Sequence, residues 1–325
     1  MPKGNLRIEQ ADEFEAYYGG DESIVAVSLA RFGLESRYVT KLPDNPLGRN
    51  AVRKLRGQGV DTSFIVTGGE RMGLNFYESG ASMRPSSVLY DRKHSAISEA
   101  NPDEFDFENI FKDADWFHVA GITPAISDSA AEIVKKAMQT AKKHNVKISV
   151  DLNYRSKLWS PEKAQSVMIP LMEYVDVCIG NEEDAEKVLG FRTDNTDVNK
   201  GSLDVESYKK TFKALKETFG FEYIGSTLRE SRSASDNGWS ALLYDGNTFY
   251  HTTSYDIHLV DRGGGASFAA GMIYGILSGF DLQKTGEFAV AASALKQTIL
   301  GDFNLVDLKE VYSLMGGNTS GRVQR

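Results

Sequence analysis

Cysteine is almost missing from this sequence: a single one, Cys178, sits inside the apolar run 175–179. An intramolecular disulfide is thereby excluded, and a thiol among apolar neighbours reads as buried and inert. A surplus of positive charge is missing too. Lys and Arg number 37 against 45 Asp and Glu, a formal net charge of −8, and no stretch forms a basic stripe. Nucleic acid is not the expected partner of such a chain. No apolar run approaches the roughly 18 residues of a membrane-spanning helix, and the start has no basic-then-apolar signal pattern. The expectation is a cytoplasmic protein without a membrane partner. Internal repeats, low-complexity tracts and linkers are absent as well, so the 325 residues read as one large domain, 1–325. What is present is ordinary for a globular protein: 41% hydrophobic and 25% charged residues leave no case for disorder.

From Trp116 the chain alternates strand and helix. Strand patterns cover 116–120, 147–151, 175–179 and 221–226. Helical spacing covers 127–144 and 205–219, and 240–250 reads as a hairpin turning at Asp245-Gly246. Alternation of this kind implies βαβ units, a mostly parallel sheet and helices on both faces, with ligands beyond the C-terminal strand ends. The first hundred residues are less regular. Strands are expected at 6–10, 14–20, 37–41, 73–79 and 87–91, and helices at 21–32 and 49–58. Residues 5–20 and 72–92 would together make a small sheet outside the main body.

The stretch that organises the rest is Ile257 to Leu277, in which Gly263, Gly264 and Gly265 precede an apolar helical segment with Phe268, Met272 and Ile276 on one face. Glycines let an anion approach the backbone, and a helix start offers unpaired N–H groups at its positive end. The stretch predicts a phosphate cradle; a glycine-rich cap on a core helix is the plainer alternative.

Asp261-Arg-Gly-Gly-Gly-Ala-Ser-Phe-Ala-Ala-Gly271 resembles the C-terminal signature of the ribokinase-like (PfkB) carbohydrate kinases, Asp-x-x-Gly-Ala/Gly-Gly-Asp-x-Phe-x-x-Gly. The resemblance runs over nearly the whole chain. Asn153–Trp159, Ser226–Arg229, Ser233–Trp239, Gly301–Leu305 and Ser320–Arg325 make it closest to the kinases of 2-keto-3-deoxygluconate. It implies a three-layer α/β/α fold with a small β lid, and transfer of the γ-phosphoryl of ATP, with Mg²⁺, to a sugar acid. It implies that Gly19, Gly20, Tyr90, Arg92, Asn153, Arg155 and Asp302 meet the substrate, Arg92 through its carboxylate. Arg155 would also approach the phosphates. Asn181, Ser226, Thr227, Arg229, Ser235, Asn237, Gly238, Gly264 and Gly265 would serve the nucleotide, and Glu182 and Asp184 would reach the metal through water. Lid strands in such proteins often pair between subunits, which implies a homo-oligomer. The residues alone leave plainer readings open: a surface Tyr-Arg pair, a capped loop at 151–155, and a helix start at 181–185 whose acids suit the dipole.

This chain departs from the pattern in three places. Ala266 stands where the family has the Asp that takes the hydroxyl proton, in a turn one residue shorter. Ile24 stands where an Asn holds a sugar hydroxyl. Family members also begin with a further apolar strand, central to their sheet, whereas Met1–Asn5 leads directly into 6–10. Loss of a positioned base removes roughly 10²–10⁴ in rate. The expectation is therefore a sugar-acid kinase by ancestry with impaired transfer, or a non-catalytic member that binds nucleotide and sugar acid. A dinucleotide oxidoreductase is disfavoured, because the glycines come late and lack the G-x-G-x-x-G spacing.

Overall fold

The computed structural model describes residues 1–191, 205–319 and 321; the tail reading at 320–325 lies outside them apart from Gly321. Elements are numbered in chain order. The main sheet has seven strands: β5 (Trp116–Ala120), β6 (Lys147–Asp151), β7 (Val177–Ile179), β8 (Tyr223–Ser231), β9 (Asp236–Tyr244), β10 (Phe249–His251) and β11 (Tyr255–His258). Their order is β10-β9-β8-β7-β6-β5, with β11 also on β9. β5 to β8 run parallel, and the β9 pairs are antiparallel. β6 and β7 are buried on both faces because helices cover both.

One face carries α3 (Phe107–Phe111), α5 (Asp128–Lys143), α6 (Pro161–Leu171), α7 (Glu182–Leu189) and α8 (Val205–Phe219), packed around Met138, Ile148, Leu171 and Phe212. The other carries α1 (Asp21–Arg31), α9 (Gly264–Leu277), α10 (Leu282–Lys296) and α11 (Leu308–Met315) around Phe268, Met272 and Phe288. Local chemistry sets these helices. Ser127 Oγ accepts from Ala130 N–H at 3.0 Å to start α5, and Lys142 and Lys143 sit at its negative end. Nearly every residue of α9 from Ala266 to Ile273 is buried, as befits a helix apolar all round. Gly271 makes that burial possible: a Cβ there would stand 2.5 Å from the Ala289 backbone of α10.

The N-terminal third differs from expectation. Residues 6–10 and 14–20 form no strands; a 3-10 turn occupies Ile8–Gln10, and Phe14 makes one isolated bridge to Pro2. Side chains take the backbone groups a ladder would need: Gln10 Oε1 accepts from Arg7 N–H at 3.0 Å, and Glu78 from Ile8 N–H at 2.9 Å. The hairpin β3 (Leu74–Glu78) with β4 (Ser87–Asp91) stands where the lid is expected, and 5–20 only drapes against it, Phe14 packing edge-on to Phe76. The strand expected at 37–41 shrinks to β1 (Lys41–Leu42), paired in parallel with β2 (Val66–Thr67). The helix expected from 49 starts earlier, as α2 (Pro46–Arg56), because Asn45 caps it and proline is at home in a first turn. α4 (Ile122–Ala125) is a single turn after β5.

Candidate active site

Gly263 adopts φ +101°, a left-handed conformation that favours glycine, and α9 begins at the next residue. The first N–H bond within the helix runs from Ser267 to Gly263 O at 3.1 Å, so the N–H groups of Gly264, Gly265 and Ala266 precede the ladder. The three positions face different surroundings. A Cβ on Gly264 would meet Gln297 and Trp239 at 2.8–2.9 Å, so glycine is needed there for packing. A Cβ on Gly265 would meet nothing within 4 Å. Ala266 is only 3% exposed and belongs to the same apolar cluster as Ile24, itself 5% exposed.

The turn is anchored from behind. Asp261 accepts from Arg262 N–H and Gly301 N–H, both at 2.8 Å, tying the glycines to the 301 loop. Lys296, fully buried, donates to Arg262 O at 2.6 Å and Ile299 O at 3.2 Å. Burial holds its ammonium below the ordinary lysine range, against the opposing pull of Asp261 and Asp302. Sequence reasoning missed Lys296, since a lysine ending a helix reads as a dipole partner. Asp302 faces Gly19-Gly20: it accepts a Gly20 N–H, and any side chain on Gly19 would collide with its carboxyl. Burial, then Asp261, raises the Asp302 carboxyl.

A cavity of about 1070 Å³ opens beside this turn, and Gly19, Gly20, Ile24, Tyr90, Arg92, Arg155, Gly263 and Asp302 all line it. Arg92 stacks on the Tyr90 ring with its guanidinium carbon 4.0 Å from the centroid. Its Nε and Nη2 are buried without a partner, and burial lowers its affinity for the proton. An unpaired buried cation is costly, so this is a place for an anion. Asn153 lies off the cavity wall; held at φ +40°, it hydrogen-bonds Asp21. Asp21 is another residue the sequence did not signal. Burial, then Glu22, pushes its carboxyl up to about 7. Asp151 and Asp184 are raised as well, chiefly by burial.

The residues read as nucleotide-binding gather elsewhere. Ser226, Thr227 and Arg229 lie within β8, not at a strand end; Ser226 follows Gly225, the partner of Ile179 at the end of β7, and β8 continues as a hairpin with β9. Arg229 Nε donates to Asn237 Oδ1 at 2.8 Å, and burial together with the neighbouring Arg262 lowers its pKa. Arg262 in turn reaches the Tyr77 hydroxyl of the lid at 3.2 Å. Ser235 accepts from Ser82 N–H at 3.2 Å, joining the lid turn to this hairpin. Gly238 packs against the Glu230 side chain. Two arginines thus converge between the hairpin and the glycine turn, where only an anion would ease their repulsion.

The Asn181–Asp184 element is a reciprocal cap on α7: Asn181 Oδ1 accepts from Asp184 N–H at 2.9 Å, and Asp184 Oδ2 from Asn181 N–H at 3.0 Å. Asp184 Oδ1 also accepts from Tyr154 N–H at 2.8 Å. Among the described residues no three His, Cys, Asp or Glu side chains cluster to hold a metal. Cys178 is buried, and burial pushes its thiol up. Among the described residues no helix is long and apolar enough to cross a membrane.

Known proteins resemble this chain in sequence and in fold. The family model "pfkB family carbohydrate kinase" matches residues 4–220. A 2-dehydro-3-deoxygalactonokinase of Haloferax volcanii is 34% identical over 321 residues, 98% of this chain and 94% of the relative. A 2-dehydro-3-deoxygluconokinase of Thermoproteus tenax is 28% identical over 294 residues, 89% of this chain and 82% of the relative. The crystal structure of the Thermotoga maritima 2-dehydro-3-deoxygluconokinase superposes with TM-score 0.94 at 48% identity, covering 97% of this chain and 95% of that one. The fold is therefore ribokinase-like. With the match spanning two thirds of its length and sugar-acid kinases among its relatives, this chain belongs to the pfkB family of carbohydrate kinases.

Proposed function

We propose that the chain is an ATP-dependent kinase of a 2-keto-3-deoxy sugar acid whose phosphoryl transfer is slow. The observation that carries the substrate reading is Arg92: a half-buried guanidinium with two unpartnered donor atoms, in a cavity shared with Arg155, Gly263 and Asp302. A sugar carboxylate would satisfy those donors in the paired geometry a guanidinium favours. The open Gly265 backbone, with Arg229 and Arg262 nearby, suits nucleotide phosphates and the charge that builds during transfer. A magnesium ion would ride on those phosphates, neutralising charge, with water between it and the α7 acids.

Transfer forms a bond from the sugar's primary hydroxyl oxygen to the γ-phosphorus and breaks the bond to ADP, and the hydroxyl proton must leave. No carboxylate lies in the turn from Gly263 to Ser267. Asp302 lines the same cavity wall but is set back against Gly19, and Asp261, also on the wall, is held by the Arg262 and Gly301 N–H groups. A rate roughly 10²–10⁴ below that of a kinase with a positioned base is expected. A coupled ADP-release assay with ATP and 2-keto-3-deoxygluconate tests this, and ordinary turnover would overturn the slow-transfer reading. Nucleotide and sugar-acid binding in a titration, with no ADP released at all, would favour the non-catalytic alternative. For assembly, we propose a homo-oligomer through the lid, whose Leu89 is 58% exposed; light scattering decides it.

A further inference from the structure

Lys296 closes α10, and among the described residues it is the one Lys or Arg that is buried. A lysine at a helix end normally runs its stem along the surface and leaves the ammonium in water. This one turns inward. Its Nζ donates to Arg262 O at 2.6 Å and to Ile299 O at 3.2 Å, while Asp261 and Asp302 act on it through their charge. A Cβ on Gly263 would stand 3.2 Å from Lys296 Cε and 3.5 Å from Nζ, so the ammonium lies directly behind the glycine turn.

Arg262 C=O and Gly263 N–H belong to one rigid peptide unit. The unit before it donates the Arg262 N–H to Asp261 Oδ1 at 2.8 Å. The two peptides that lead into Gly263 are therefore gripped by opposite charges, an anion on the N–H of one and a cation on the C=O of the next. Gly264, Gly265 and Ala266, whose N–H groups precede the α9 ladder, follow from that fixed point. The same joint holds the loop that carries Asp302, through Ile299 O and through Gly301 N–H on Asp261 at 2.8 Å. Packing alone does not ask for a lysine here. A buried ammonium is costly, and an apolar side chain of similar length would avoid that cost. The charge stands behind a helix start that is already positive, so the two fields add at the turn.

We propose that Lys296 is a positioning residue for phosphoryl transfer, a role that rests on the kinase reading above. Its ammonium fixes the Arg262–Gly263 peptide and backs the turn with positive charge, so that the turn's N–H groups meet the γ-phosphoryl oxygens. The lysine itself touches neither substrate. Tyr90 and Arg92, on and just after β4, do not share this joint, so the sugar-acid side is independent of it.

Calorimetric titration of the intact chain with MgATP, ADP and 2-keto-3-deoxygluconate tests this. Lys296→Met keeps the stem and removes the charge. Its Kd for MgATP should rise about 10- to 100-fold, the size of a charged hydrogen bond lost at the γ-phosphoryl. Its Kd for ADP and for the sugar acid should stay within about twofold, and its Tm should hold or rise, because apolar packing replaces a buried charge. Lys296→Gln, whose amide still donates to both carbonyls, serves where the Met variant does not fold, and should lose about tenfold for MgATP. An unchanged MgATP Kd in the folded variants would overturn the inference. Loss of folding in both variants, or equal weakening of all three ligands with a lower Tm, marks a structural role and overturns it as well. An unsubstituted chain that binds neither nucleotide nor sugar acid would instead remove the kinase reading, and this inference with it.

Discussion

From Trp116 to Tyr244 the chain lays down strands paired in long registers, β8 with β9 over eight residues, and buries both faces of the sheet. From Met1 to Ala100 its strands span five residues at most and pair only in twos. The first region is held by apolar contact between layers. The second has only a small apolar cluster of its own, around Val27, Leu55 and Val60, and its hairpin is held by partly buried pairs such as Arg84 with Glu78 at 2.9 Å. The site sits at their seam: the C-terminal half supplies the anchored glycine turn, and the N-terminal third supplies Gly19, Gly20, Tyr90 and Arg92. Rigidity on one side and accessible volume on the other is an arrangement in which backbone can be fixed for phosphate while side chains adapt to the sugar.

The largest effect should come from giving the turn a carboxylate. Gly265 is absent from the left-handed glycines and has free space at its Cβ, and an acid in a first helical turn suits the dipole. Gly265→Asp is expected to raise ADP release about 10²–10⁴-fold. Ala266→Asp would bury its charge among Ile24 and Phe268 and should lower Tm instead. The opposite ranking would mean that the turn presents Ala266, not Gly265, to the substrate.

The contrast between regions can be broken by truncating one apolar side chain in each. Ile148, fully buried in β6, is enclosed, and Ile148→Ala should cost about 2–5 kcal/mol in denaturant unfolding. Phe117, on β5, already borders open volume. Phe117→Ala should cost less than about 2 kcal/mol, since the contacts it would lose are partly missing. Equal costs would mean that the β5 edge is as well packed as the centre.

Arg92→Ala should raise KM for the sugar acid about 10- to 100-fold with a smaller change in kcat, the size of a lost charged hydrogen-bond pair. Arg92→Lys should recover only part of this, because an ammonium cannot make the paired contact. An unchanged KM would remove the carboxylate assignment.

The two regions were also unequally legible. Val205–Phe219 was read to the residue, because five apolar positions at helical spacing meet one buried face. The family and the fold came from local motifs spread over the chain. Residues 6–20 alternate like strands yet form none, since alternation says nothing of whether a partner edge exists. β8 was read as ending at Ser226 because 226–229 and 233–239 resemble a nucleotide loop at a strand end, but β9 supplies an antiparallel partner and carries it on to Ser231. Lys296 and Asp21 were invisible for a different reason. A charged residue at a helix end looks solvated in sequence, and only tertiary packing buries it.

Asp21 gives the subtlest way to sharpen the comparison. Its carboxyl is raised to about 7 from an ordinary 3.8, first by burial and then by Glu22, with Arg155 and Asn153 opposing. A raised acid pKa means that the folded chain binds more protons than the unfolded one between these two values. Stability from this group is therefore full below about pH 4 and is lost as pH rises through about 7. Asp151, raised chiefly by burial, acts in the same direction. Wild-type Tm should fall between pH 5 and 8 more steeply than that of Asp21→Asn, whose amide keeps the bond to Asn153 but has no proton to lose. Parallel profiles would mean that Asp21 is charged and well solvated in the folded chain, and that the N-terminal third is more open to water than its cavity walls suggest.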